Sequence, residues 1–97
     1  MKETTYLPEV ECTIAIPNGI VNMQLVAVPD ETGRCHYLHL GQGNLTEDEG
    51  KTYLPIGVID LDNRGQRALV ELPMEAGSGT RRIWVPYKRF RPQRAAS

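Results

Sequence analysis

The side chains with the most reactive chemistry lie in the stretch Cys35–Leu40, CHYLHL. Successive side chains of a strand point to opposite faces, so Cys35 and His39 share one face, while His36 lies with Leu38. A thiol beside an imidazole is typical of nucleophilic catalysis, because the base activates the nucleophile. Cys35 and His39 are four residues apart, which separates them by about 13 Å along a strand, and no oxyanion-binding loop or third group can be assigned. The sequence therefore favours a protein that is not an enzyme.

The same face is a candidate for zinc binding, since Cys12 on a neighbouring hairpin would add a second thiolate. Structural zinc sites use four closely spaced ligands, and no fourth ligand is apparent. We interpret Cys12 and Cys35 as reduced, buried thiols, and we expect neither a metal nor a cofactor. Reduced thiols and the lack of a secretory apolar region predict a cytoplasmic protein. No apolar run approaches the roughly 20 residues that cross a bilayer, so no membrane partner is expected.

Two further sets of polar residues are weaker candidates for a functional site. Asp60 and Asp62 alternate outward beside Arg64 and Arg67, which is typical of a solvated hairpin face. The stretch Gly77–Thr80, GSGT, would hold a phosphate only ahead of a helix and with the lysine of a P-loop. A strand is predicted after it instead.

The basic segment, defined here as Arg81–Arg94 (RRIWVPYKRFRPQR), is the strongest candidate for binding. Residues 81–97 hold six cations and no acid, whereas residues 1–80 hold twelve acids and five cations. Cations interleaved with aromatic rings suit phosphate neutralisation and base stacking. The pI of 6.1 is unlike that of nucleic-acid-binding domains, so these cations are also expected to lie on acids such as Glu47, Asp48 and Glu49. The candidate residues of this segment are Arg81, Arg82, Trp84, Tyr87, Lys88, Arg89, Phe90 and Arg91.

Period-two alternation of apolar residues predicts the elements that position these groups. Turn signals fall at Pro17–Gly19, at residues 29–33 and at Asn63–Gly65, and a tight turn is predicted at residues 87–90. Residues 41–52 are predicted to form a long exposed loop with one helical turn. The predicted strands are Glu9–Ile16, Ile20–Val28, Arg34–Leu40, Tyr53–Asp62, Gln66–Leu72 and Arg81–Pro86.

These strands predict one all-β domain over residues 9–90, between flexible tails at residues 1–8 and 91–97. Six short strands with almost no helix favour a small antiparallel barrel or barrel-like sandwich. The hairpin GVIDLD-NRG-QRALVEL, the strand RIWVP and the turn YKRF resemble, in this order, the later strands of SH3-like barrels. This resemblance implies a fold and no ligand, since fold alone does not give function.

The outward positions of the later strands suggest a function. Val58, Leu69 and Trp84 are predicted to form an apolar patch that a monomer would seldom leave in water. We therefore expect a non-catalytic interaction module that self-associates, with a homodimer as the first expectation, or that binds a protein partner. The alternative hypothesis is a nucleic-acid-binding barrel that uses the basic segment.

Overall fold

A computed structural model describes residues 5–16 and 23–93 of the chain. Within these residues the protein is all-β, with antiparallel strands and two short 3₁₀ helices at Gln42–Asn44 and Tyr87–Arg89. The predicted all-β class is therefore confirmed. The strands are β1 (Tyr6–Ile16), β2 (Met23–Pro29), β3 (Cys35–Gly41), β4 (Thr46–Asp48), β5 (Lys51–Pro55), β6 (Gly57–Asp62), β7 (Arg67–Glu71), β8 (Arg82–Pro86) and β9 (Phe90–Pro92).

The strands form two sheets. The larger sheet has the order β3-β2-β1-β5-β4, with β9 also paired to β1, and the smaller sheet has the order β6-β7-β8. Neither sheet closes on itself within the described residues. No helix in this part of the chain is long and apolar enough to cross a membrane.

The long strand β1 connects most of the larger sheet. It pairs with β5 through Glu9–Cys12, with β2 through Thr13–Ile16, and with β9 through Tyr6–Val10. β1 and β9 therefore include residues 6–8, 91 and 92, which the sequence assigned to tails. The predicted turn Pro17–Gly19 lies outside the described residues, as do residues 1–4 and 94–97.

One apolar core joins the two sheets. The predicted alternation holds in β7 and β8, where Ala68, Val70, Ile83 and Val85 are buried and their neighbours are partly or fully exposed. Because half of each strand faces the core, the period-two pattern fixes which residues are buried. The largest fully buried side chains come from both sheets: Leu38, Leu54, Leu72, Val10, Val26, Val28, Val70 and Val85.

The predicted loop at residues 41–52 is instead a 3₁₀ helix followed by the hairpin of β4 and β5. Asp48 pairs with Lys51, which leaves Glu49 and Gly50 as a two-residue loop. Both loop residues have positive φ, 49° and 79°. Two-residue hairpin loops need this geometry to match the twist of their strands. Thr46 and Glu49 have the spacing of a helix-capping pair, but they belong to this hairpin and not to a helical turn.

The predicted strand at residues 53–62 is divided at Ile56, because its halves belong to different sheets. β5 pairs in the larger sheet and β6 in the smaller one. The Ile56 N–H donates to the carbonyl of Pro8 at 3.0 Å, which fixes this corner against β1. The corner places β6 close to the start of β1.

Candidate functional site

An irregularity in β6 determines which side chains face the core side of the smaller sheet. Val58 pairs with Val70 and Leu61 pairs with Ala68, with a shift of register between Val58 and Asp60. Paired residues of antiparallel strands share a face. Simple alternation placed Val58 with Leu69 on the outer face, but the shift places Val58 and Leu61 together on the inner face.

Val58 and Leu61 line an open groove with a volume of about 770 Å³. The groove lies between the start of β1, the strand β6 and the 3₁₀ helix Tyr87–Arg89. Three of its side chains are well exposed, with 37% for Tyr6, 45% for Val58 and 57% for Leu61. We call this site the aromatic groove; it is lined by Tyr6, Leu7, Pro8, Val58, Leu61, Asn63, Gln66, Ala68, Tyr87 and Phe90.

Three packed rings form one wall of the aromatic groove. The ring centre of Tyr6 lies 6.2 Å from those of Tyr87 and Phe90, and the latter two lie 6.5 Å apart. Such separations and tilted orientations are favourable for aromatic pairs. The Tyr87 hydroxyl donates to Oδ1 of Asn63 at 2.7 Å, and the Tyr87 N–H donates to the carbonyl of Gln66 at 2.9 Å. These bonds hold the 3₁₀ helix to the β6–β7 turn, so the wall is preformed.

The predicted site residues are divided between two surfaces. Val58, Tyr87 and Phe90 lie in the aromatic groove. Leu69 pairs with Trp84 on the other face of the smaller sheet, where both side chains are partly buried. Neither Tyr6, which the sequence assigned to a tail, nor Leu61 was predicted as a site residue. The only signal for Tyr6 in the sequence was its aromatic side chain, three residues before the predicted strand that begins at Glu9.

Acids of the domain itself neutralise much of the basic segment. Arg89 lies 3.7 Å from Glu11, and Arg91 lies 3.1 Å from Glu9 and 3.2 Å from Asp48. Arg81 and Arg82 both lie within 4 Å of Glu71, at 3.9 and 3.7 Å. Lys88 is exposed, and Arg94 lies outside the described residues.

The environment of Arg91 stabilises the charged form of its guanidinium. Partial desolvation opposes the charged form, but hydrogen bonds from Arg91 to Glu9 and Asp48 outweigh it and raise the pKa of the guanidinium. Arg91 therefore joins β9 to β1 and β4. A group held in this way is poorly placed to neutralise a phosphate.

The buried imidazole of His36 makes two polar contacts with other elements. Its Nε2 lies 2.9 Å from Oδ2 of Asp30, and its Nδ1 lies 2.9 Å from the hydroxyl of Ser78. Asp30 also accepts hydrogen bonds from Thr32 and from the Arg34 N–H. Burial disfavours the charged carboxylate, but these bonds outweigh it and lower the pKa of Asp30 from 3.8 to about 2.

A carboxylate, an imidazole and a hydroxyl in series are the arrangement that activates a serine nucleophile. Such catalysis also needs backbone donors aimed at the developing oxyanion. Around Ser78, the N–H groups of Ala76, Gly77 and Gly79 already donate to backbone carbonyls. The contacts of His36 with Asp30 and Ser78 fasten the loop that carries Ser78 to the turn between β2 and β3.

The two thiols differ in exposure to solvent. Cys12 is buried as predicted, and desolvation with the charge of Glu11 raises its pKa to about 12. Cys35 is exposed, contrary to the prediction, and His39, four residues further along β3, is exposed as well. The described residues contain no group of three or more His, Cys, Asp or Glu side chains arranged to hold a metal ion.

Comparison of the chain with family models, with curated proteins and with solved structures found no match.

Proposed function

We propose that this chain is a non-catalytic interaction module that binds an apolar segment of a protein in the aromatic groove. The segment belongs either to a different protein or to a second copy of the chain. The main support is the exposure of apolar side chains that turn toward the core side of the smaller sheet and that the described residues leave uncovered. Leu61 is 57% exposed and Val58 is 45% exposed, although each pairs with a fully buried residue of β7.

The groove has the size and lining of a binding site. Its volume of about 770 Å³ lies in the range of ligand-binding clefts, roughly 300–1,000 Å³. The rings of Tyr6 and Tyr87 supply contact area with few rotatable bonds, which keeps the entropic cost of binding low. Asn63 and Gln66 at the rim add amide groups that can pair with the backbone of a bound segment. The groove therefore combines apolar contact with a polar edge.

We further propose that the two sheets form a small SH3-like barrel. In support, the hairpin of β6 and β7 is followed by β8, a 3₁₀ helix and β9 in the order that the resemblance implies. The final strand β9 also returns to pair with β1. A cytoplasmic location is proposed as well, and the free thiols Cys12 and Cys35 support it.

Peptides selected from a random display library against the whole chain would test the proposal. Leu61→Asp should weaken the selected peptides by about tenfold or more, as expected for a central contact residue. Tyr37→Ser is the matched control, since Tyr37 is 46% exposed and lies outside the groove. Calorimetry would measure both affinities. Failure to select any peptide, or an equal loss in both variants, would contradict a binding role for the groove.

Sedimentation velocity at micromolar concentration distinguishes the two sources of the segment. A second copy predicts a dimer in the wild type and a monomer in Leu61→Asp. A monomer in both indicates that a different protein supplies the segment.

A further inference from the structure

β6 is an edge strand of the smaller sheet. Within the part of the chain that the structure describes, it pairs with β7 on one side and with no strand on the other. Residues 57–61 are all exposed, including Ile59 at 42%. An edge of this kind presents backbone donors and acceptors that can pair with another strand. It also lies beside the aromatic groove, because Val58 and Leu61 belong to both.

The backbone amide of Leu61 is hydrogen-bonded to the side chain of the preceding residue. The Leu61 N–H donates to Oδ1 of Asp60 at 2.8 Å. This local bond satisfies an amide that would otherwise need a strand partner. A carbonyl of an added strand can replace the carboxylate, and Asp60 is then free to pair with a cation.

We propose that β6 accepts an extended basic segment of a different protein as an additional strand, with Asp60 pairing with a lysine or arginine of that segment. The inference rests on the proposed function, because the added strand would use the groove residues Val58 and Leu61.

The faces of β6 specify the pattern of the segment. Val58 and Leu61 turn to the groove face, opposite Val70 and Ala68, whereas Asp60 pairs with Leu69 on the other face. Successive side chains of an added strand point alternately to the groove face and to the other face. A segment in which apolar and basic residues alternate would therefore place its apolar side chains in the groove and its cations beside Asp60. Backbone pairing gives affinity in this mode, and the side chains give specificity.

A second copy of β6 fits this edge less well. The strand contains Asp60 and Asp62 and no cation. Like charges on neighbouring strands are destabilising. Asp62 is already bonded to Arg67 at 2.9 Å, which leaves Asp60 as the carboxylate that can bind a partner's cation.

The test uses three synthetic peptides of the same length as β6, with the full chain isotopically labelled for NMR. One peptide alternates valine and lysine, the second alternates valine and glutamate, and the third is the basic peptide with a methylated backbone. The basic peptide should bind and slow hydrogen exchange of the Leu61 amide by about tenfold at roughly ten times its Kd. The acidic and methylated peptides should produce neither effect, because they lack the cation or the strand hydrogen bonds.

A charge reversal tests the role of Asp60. D60K should weaken the basic peptide and allow the acidic one to bind, and this gain also shows that the variant is folded. Glu47→Lys is the control, since Glu47 is an exposed acid on β4 of the larger sheet. It should leave the preference for the basic peptide unchanged. Equal effects of the two reversals would overturn the assignment of Asp60.

Other outcomes separate this inference from the proposed function. Equal binding of the methylated peptide would overturn strand addition and leave groove binding intact. Failure of the basic peptide, while library peptides still bind in a manner sensitive to Leu61→Asp, would also overturn strand addition alone. A wild-type dimer with a protected Leu61 amide and no peptide present would assign the edge to a second copy. Failure of both basic and library peptides would overturn both proposals.

Discussion

The guanidinium of Arg67 lies over the indole ring of Trp84, with its Cζ 4.2 Å from the ring centre. Two carboxylates hold it there: Glu31 accepts from Nη1 at 2.6 and 2.8 Å, and Asp62 accepts from Nε at 2.9 Å. These bonds raise the pKa of Arg67. The Glu31 N–H also donates to the carbonyl of Trp84 at 2.8 Å, so this contact ties the β2–β3 turn to the smaller sheet.

Removing the guanidinium should uncover Trp84. In Arg67→Gln, we expect acrylamide to quench the fluorescence of Trp84, the single tryptophan, more strongly than in the wild type, and we expect a lower Tm. The reason is the combined loss of the cation–π contact and of the bonds to Glu31 and Asp62.

Arg64→Gln is the control for this prediction, since Arg64 is exposed in the neighbouring β6–β7 turn. It should leave quenching and Tm near the wild-type values. Unchanged quenching in Arg67→Gln would mean that other groups protect the indole.

Asp30 should make folding sensitive to acid. Its pKa is lowered from 3.8 to about 2, so the carboxylate stabilises the fold fully above its unfolded pKa, and this contribution is lost as the pH falls through the folded value. Urea unfolding should therefore show stability falling between about pH 4 and pH 2. Asp30→Asn should flatten the fall in this window, in proportion to the share that this group contributes.

Thr32→Val provides a finer version of the same test. The Thr32 hydroxyl donates to Oδ1 of Asp30 at 2.6 Å. Its removal takes away one bond that favours the carboxylate, so the pKa of Asp30 should rise toward 3.8, and the fall in stability should become smaller and end at a higher pH. An acid response of Asp30→Asn identical to that of the wild type would show that other groups control it.

Local alternation predicted the strands that have one buried and one open face. β7 and β8 and the turn at Tyr87–Arg89 could be placed this way, because each short segment carries its own pattern. The bulge in β6, between Val58 and Asp60, could not be predicted from local alternation. One inserted residue moves the following side chains to the opposite face without changing the composition of the strand. The position of Val58 was therefore predicted wrongly, although its strand was recognised.

Contacts between distant residues account for the other features that the sequence did not predict. His36 meets Ser78 across 42 residues, and the partner of Arg91 at Glu9 lies 82 residues away. No local pattern contains such pairs, because they depend on how the sheets and loops pack. The Asp62–Gly65 bond is the contrasting case: the two residues are three apart, and the bond lies at the turn that the sequence predicted at Asn63–Gly65.

The two thiols should differ in reactivity. The thiolate is the reactive form; Cys12 is 5% exposed with its pKa raised to about 12, whereas Cys35 is exposed. At neutral pH one thiol per chain should react rapidly with a disulfide reagent, and the second should react only after denaturation. Cys35→Ser should remove the rapid phase, whereas two rapid thiols in the wild type would contradict the burial of Cys12.

The basic segment should contribute to the fold and bind nucleic acid weakly. Arg91 is bonded to Glu9 and Asp48, so Arg91→Glu should place like charges together and lower the Tm, whereas Lys88→Glu should have a smaller effect.

Oligonucleotide binding to the wild type should be no tighter than millimolar at physiological salt, because paired cations release few counterions from phosphates. Fluorescence anisotropy would measure this affinity and its dependence on salt. Submicromolar binding with a log–log salt slope of about −0.7 per phosphate contacted, lost in Arg89→Glu and Arg91→Glu, would favour the nucleic-acid hypothesis over the interaction module.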